Sequence, residues 1–169
     1  MTISMDQIKE LRDATGVSIM QCKKALEEAN GDLEAAKAVL RKNSAASAAK
    51  KADRVLGAGI VGSYVHGTGT IGAMVELLCE TDFVANNEEF KALAKDIAVQ
   101  IVATAPEYAN ESDVPADALE AALANGTVLV KQPFFKNPDV LVEVLLTQAV
   151  QKFGEKVAIG RMTRFSIAG

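Results

Sequence analysis

Tryptophan is absent from these 169 residues, and the chain holds only four prolines, two cysteines and one histidine. Each scarcity excludes something. Cys22 and Cys79 are too few for a disulfide framework or a zinc site, and they read as free thiols in a reducing cytoplasm. No run approaches the roughly 20 apolar residues needed to cross a bilayer. The opening Met1-Thr2-Ile3-Ser4-Met5-Asp6 lacks a basic head followed by an apolar block, so neither a signal peptide nor a membrane partner is expected. What is present is ample apolar material: 49% of residues, enough for a real core and too much for a disordered chain. The length suits one good-sized domain, or a small one followed by a larger one. A net charge of −4 conceals an asymmetry: residues 1–54 carry ten Lys/Arg against eight Asp/Glu, the remainder eight against fourteen. Neither balance is extreme enough to point to nucleic acid.

Residues 4–42 read as three short helices. Met5, Ile8 and Leu11 recur at helical spacing until Thr15-Gly16. Ser18 caps a second helix, with Gln21 in capping-box position and Ile19, Cys22, Ala25 and Leu26 inward. Asn30-Gly31 stops it, and Asp32 caps a third helix with Leu33, Ala36, Val39 and Leu40 inward. Ile19 and Met20 are adjacent at a helix start and cannot easily both be buried on one face; Met20 is expected to be the exposed one. The stretch from Arg41 to Arg54 has five bases against one acid and reads as a polar, partly helical linker. The expected domains are therefore 1–42, a small three-helix domain; 43–56, a basic linker; and 57–169, an α+β core.

In that core, residues 59–66 and 71–79 read as a hairpin turning at Gly67-Thr68-Gly69-Thr70. The Gly-x-Gly of this turn does not open a helix and lacks the Lys-Ser/Thr of a phosphate loop. Residues 87–103 form an amphipathic helix with Phe90, Leu93, Ala94, Ile97, Ile101 and Val102 on one face. Residues 116–124 form a short helix, 129–138 an extended segment, and Asp139 is expected to lead a last helix ended by Gly154. Residues 157–167 form a final strand. The result is a three-stranded antiparallel sheet covered by helices on one face.

Between hairpin and helix lies the stretch that matters most, Cys79-Glu80-Thr81-Asp82-Phe83-Val84-Ala85-Asn86-Asn87. It reads as a short exposed loop with an aromatic beside an acid, on a rigid scaffold, where contacts to other molecules concentrate. A lone Phe in such a loop belongs either under its own helix or in a partner's pocket.

Thr81-Asp82-Phe83-Val84-Ala85 after Val75-Glu76-Leu77-Leu78-Cys79-Glu80 resembles the signature of elongation factor Ts, the guanine-nucleotide exchange factor of elongation factor Tu. The resemblance extends along the chain. It includes Leu11-Arg12-Asp13-Ala14-Thr15-Gly16, Met20-Gln21-Cys22-Lys23-Lys24-Ala25-Leu26, Asn30-Gly31-Asp32, Gln132-Pro133-Phe134 with Lys136-Asn137-Pro138, Gly154-Glu155-Lys156-Val157 and Arg164-Phe165. Ala29-Asn30-Gly31-Asp32-Leu33-Glu34 is also similar to ubiquitin-associated (UBA-like) three-helix domains. The resemblance implies binding to the nucleotide domain of elongation factor Tu, with Phe83 as wedge, Thr81, Asp82 and Val84 around it, and Leu11, Arg12, Ile19 and Met20 gripping from the front domain. It implies no cofactor, no metal and no catalytic residue, a cytoplasmic location and, because longer members have a second half to the core, a homodimer. Gly160-Arg161 stands where a more basic pair is expected, and Arg161 receives no role.

Two other classes compete. An enzyme would build on Cys79, Glu80, Asp82 and His66, but a Cys-His pair needs a shared pocket and an orienting group. A plain adaptor would bind a partner without affecting any nucleotide.

Overall fold

A computed structural model describes residues 3–167. The fold is α+β: helices first, then a three-stranded antiparallel sheet packed with helices. The chain forms two compact units, one reaching to Asp53 and including Leu146–Glu155, the other Arg54–Leu145 with the chain from Lys156 onward.

The first unit contains α1 (Met5–Thr15), α2 (Ile19–Glu28) and α3 (Leu33–Lys50). Each start is fixed by a side chain on an otherwise orphaned N–H: Ser4 accepts from Gln7, Ser18 from Gln21 and Asp32 from Ala35. α1 ends at Gly16, whose left-handed backbone lets its N–H bond Arg12. Ile8, Leu11, Val17, Cys22, Leu26 and Leu40 form a shared core. Met5, at helical spacing with Ile8 and Leu11, is exposed on the first turn of α1. α3 continues past residue 42 into the stretch read as a partly helical linker. α3 runs on to Lys50 because its Ala-rich tail contains no Gly or Pro, and alanine is the best helix former. Ser44 on that tail is buried, and its hydroxyl bonds the Leu40 carbonyl and the Gln151 side chain.

In the second unit, β1 (Ala58–His66) pairs with β2 (Ile71–Cys79) in unbroken register, and β2 pairs with β5 (Ala158–Ser166), giving the order β1-β2-β5. Ala73, Val75, Leu77 and Cys79 alternate inward beneath α5 (Glu88–Thr104), whose Phe90, Ala94, Ile97 and Ile101 are fully buried. Helix and sheet approach closely at Gly62 of β1, where a Cβ would lie 2.5 Å from the Ala94 carbonyl oxygen of α5. Only glycine permits that approach.

Further along, α6 (Leu119–Ala124) leads to a buried amide network. Gln100 of α5 donates to the Gln132 side chain and the Pro133 carbonyl, both at 3.1 Å, and accepts from the Phe135 N–H at 2.9 Å. This network holds a small ribbon, β3 (Pro133–Phe134) with β4 (Asn137–Leu141). Asp139 therefore lies in a strand rather than leading a helix. α7 (Val142–Phe153) starts only after it, since strand pairing with Pro133 holds the chain as far as Leu141.

The sheet's other face is open. Residues directly opposite share a face, which sets Val61, Val65, Met74, Glu76, Thr163 and Phe165 together, with Val61, Val65, Met74 and Phe165 well exposed. In its middle, β5 carries one extra residue opposite Glu76, a β-bulge. The Glu76 carboxylate fills it, accepting from the Arg161 N–H at 2.9 Å and from its Nε at 3.0 Å. A Cβ on Gly160 would stand 2.7 Å from that carboxylate.

Both close contacts can be tested. Gly62→Ala should destabilise the protein by about 1–3 kcal/mol in urea unfolding, because α5 must lift off β1; a neutral effect would contradict the close approach. The Arg161 hydrogen bonds hold the Glu76 carboxyl down at about 2, below its ordinary 4.5. A depressed folded-state pKa means the pair's contribution is complete above 4.5 and is lost as pH falls toward 2. A carboxyl ¹³C titration should place the Glu76 midpoint near 2, and Arg161→Met should raise it; an ordinary midpoint in the wild type would count against the pairing.

Candidate functional site

The link expected as a loop is a helical turn, α4 (Asp82–Ala85), placed between β2 and α5. Four residues are too few to show a period, so the sequence alone does not reveal the turn. Its backbone is pinned at both ends. The Thr81 carbonyl accepts from Ala85 N at 3.2 Å and from the Cys79 thiol at 3.3 Å. The Asp82 carbonyl accepts from the backbone N–H and the side-chain amide of Asn86, both at 2.9 Å. Asn87 N–H bonds the Val84 carbonyl, and the Asn87 side chain caps α5 by accepting from Glu89 N at 2.8 Å. At the base, Glu80 accepts from Lys156 N–H and lies 3.3 Å from the Arg54 guanidinium. Asn86, Asn87 and Glu80 carry structural roles that sequence reasoning did not assign; an Asn directly before an apolar helix was the available cap signal.

Three apolar side chains of this segment, Val84, Ala85 and Phe90, are sealed inside. Phe83 is not: 86% of it is exposed. Of the residues named from sequence around it, Thr81 and Asp82 are exposed, and Asp82 fixes the turn through its backbone carbonyl. Val84 is buried and cannot be a contact residue; one turn of helix directs neighbours to different sides, so Val84 packs where Phe83 does not.

In the front unit, Arg12 and Met20 are exposed, Met20 at 70%. Ile19, expected on the inner face, is 46% exposed, because as the first helical residue of α2 it overhangs the end of the core. Leu11 is completely buried, three residues after Ile8 on the inner face of α1, and is a core residue rather than a contact.

The residues of the enzyme reading do not meet. Ala58 pairs with Cys79 and His66 pairs with Ile71, so Cys79 and His66 sit at opposite ends of the hairpin, roughly 26 Å apart at about 3.3 Å per residue. His66 bonds the Tyr64 hydroxyl at 3.0 Å. Cys22 is a buried thiol bonding the Val17 carbonyl, and desolvation pushes its pKa up, away from reactivity. Among the described residues, no group of three or more His, Cys, Asp or Glu could hold a metal ion, and no helix is long and apolar enough to cross a membrane.

A family model described as "Elongation factor TS" matches residues 6–125, most of the chain and all of the segment just described. This chain belongs to the elongation factor Ts family. It is 44% identical to elongation factor Ts of Carboxydothermus hydrogenoformans, with 98% of this chain and 89% of the relative aligned. Elongation factor Ts of Leptospira biflexa is 42% identical over the whole of both chains, and that of Geobacter sulfurreducens is 40% identical over 98% of this chain and 89% of its own. The family is one of nucleotide exchange factors acting on elongation factor Tu, not of enzymes that make or break bonds.

The two phenylalanines seven residues apart should respond oppositely to truncation. Phe83→Ala should change unfolding free energy by no more than about 0.5 kcal/mol, whereas Phe90→Ala should cost about 3–5 kcal/mol. Equal losses in a urea titration would contradict the exposure of Phe83.

Proposed function

We propose that this chain docks on elongation factor Tu carrying GDP, inserts Phe83 between helices of its nucleotide domain and thereby releases GDP. The observation that supports this reading best is the 86% exposure of an aromatic ring on a turn whose neighbours are all pinned or buried. Burying a Phe side chain contributes about 1.5–3 kcal/mol, and a rigid mount loses little conformational entropy on docking. That is the same order as a typical coupling between sites, about 1–3 kcal/mol.

No covalent step is required. A GTPase holds GDP and Mg²⁺ through backbone amides, a lysine and side-chain ligands. A ring wedged among the supporting helices displaces the Mg²⁺ and phosphate contacts. Because coupling is reciprocal, a factor that prefers the nucleotide-free partner weakens nucleotide binding by the same ratio. Arg12, Ile19 and Met20 of the front unit grip the same domain; Leu11 and Val84, being core, take no part. Asp82 flanks the ring as the polar rim of the contact. The site needs no cofactor or metal of its own, and its setting is the cytoplasm, where its partner works.

We also read the chain as a homodimer. The open sheet face supports this: Val61, Val65, Met74 and Phe165 stand in water where a sheet with one packed face is usually polar. A second copy covers that face with the same residues.

Release of fluorescently labelled GDP from elongation factor Tu tests the wedge. The wild type should accelerate release, and Phe83→Ala should lose roughly 30-fold of the stimulation, the equivalent of a hot spot of about 2 kcal/mol. Met20→Ala should raise the concentration needed for half-maximal effect. Full stimulation by Phe83→Ala would refute the mechanism.

A further inference from the structure

The open sheet face carries two charged groups, Glu76 and Arg161, bound to each other at its centre. Around them lie Val61, Met74, Met162 and Thr163, lining a shallow cleft of about 390 Å³. Two features of this pair are more than a β-bulge requires. Glu76 alone could satisfy the bulge through the Arg161 backbone N–H. Instead the guanidinium folds over the same carboxylate while its side chain remains 90% exposed. Only its Nε and one terminal nitrogen are engaged by Glu76, out of five N–H donors.

Resting on the homodimer reading above, we propose that Glu76 and Arg161 form the charged centre of the contact between two copies, with Arg161 of each copy donating to Glu76 of the partner subunit. The argument is one of charge and satisfaction. An isologous contact sets a face against itself. A face bearing one charge sign would repel its copy; this one sums to zero, with an acid and a base side by side. Covering it would strip water from the outward N–H groups of Arg161, a costly step unless an acceptor arrives. The one carboxylate this face offers is Glu76, and three hydrogen bonds from Arg161 leave it with spare acceptor capacity. Two copies related by a two-fold axis thus supply each other with what covering removes. The apolar side chains around the pair provide the contact area, and the pair fixes register and partner identity.

Sedimentation equilibrium of the full chain, with circular dichroism as a check of folding, tests this. Arg161→Glu and Glu76→Arg should each weaken self-association by at least about tenfold. An equimolar mixture of the two should associate as tightly as the wild type, because both cross-contacts are then acid to base. If either reversed chain misfolds, Arg161→Gln and Glu76→Gln replace them: each should weaken self-association and flatten its salt dependence. A wild type that is monomeric at every concentration removes the homodimer reading and this inference together. A wild-type dimer whose variants associate equally well, or whose mixture is no tighter than either variant alone, removes only the exchange of the pair.

Discussion

Everything distinctive about this molecule depends on how tightly the chain is held as it passes from β2 into α5. Within twelve residues it leaves a buried strand end at Cys79, makes one helical turn and re-enters the core at Phe90. The Thr81 and Asp82 carbonyls, the Asn86 amide and the Asn87 cap fix the path. Beneath it, α5 lies so close to β1 that Gly62 cannot carry a methyl group. With Val84 and Ala85 taking the inner side of the turn, the Phe83 ring has nowhere to go but outward. Its exposure is a consequence of geometry, not of looseness.

Such an arrangement separates the two demands usually made of one aromatic residue. Phe90 provides the core that makes the scaffold stiff, and Phe83 is left free of any structural duty. Elsewhere, Cys22 and Cys79 are buried, His66 bonds the Tyr64 hydroxyl, and the Gln100 amide is bonded through both its nitrogen and its oxygen.

Much of this was legible in the amino-acid order. The caps Ser18 and Asp32, the hairpin at 67–70 and the inner face of α5 each rest on local rules that three or four residues state completely. Elements that depend on distant partners were not legible. Asp139 sits in β4 because Leu141 finds Pro133 across the ribbon. The bulge at Gly160-Arg161 is visible only once Glu76 lies opposite. How far α3 would run into the partly helical linker was not legible either, since basic, Ala-rich sequence suits a linker and a helix equally well. Leu11 and Val84 show a different limit: a motif names neighbours in sequence, while helical geometry sends those neighbours to opposite sides, so some motif residues hold the site rather than form it.

The central claim is that the Phe83 ring passes from water into the partner. Replacing it with 4-fluorophenylalanine allows ¹⁹F NMR to follow that ring alone. In the free protein the signal should be broadened by a soluble paramagnetic agent; with nucleotide-free elongation factor Tu added it should shift and become protected. A ring that stays fully accessible in a complex that has demonstrably formed would contradict the account.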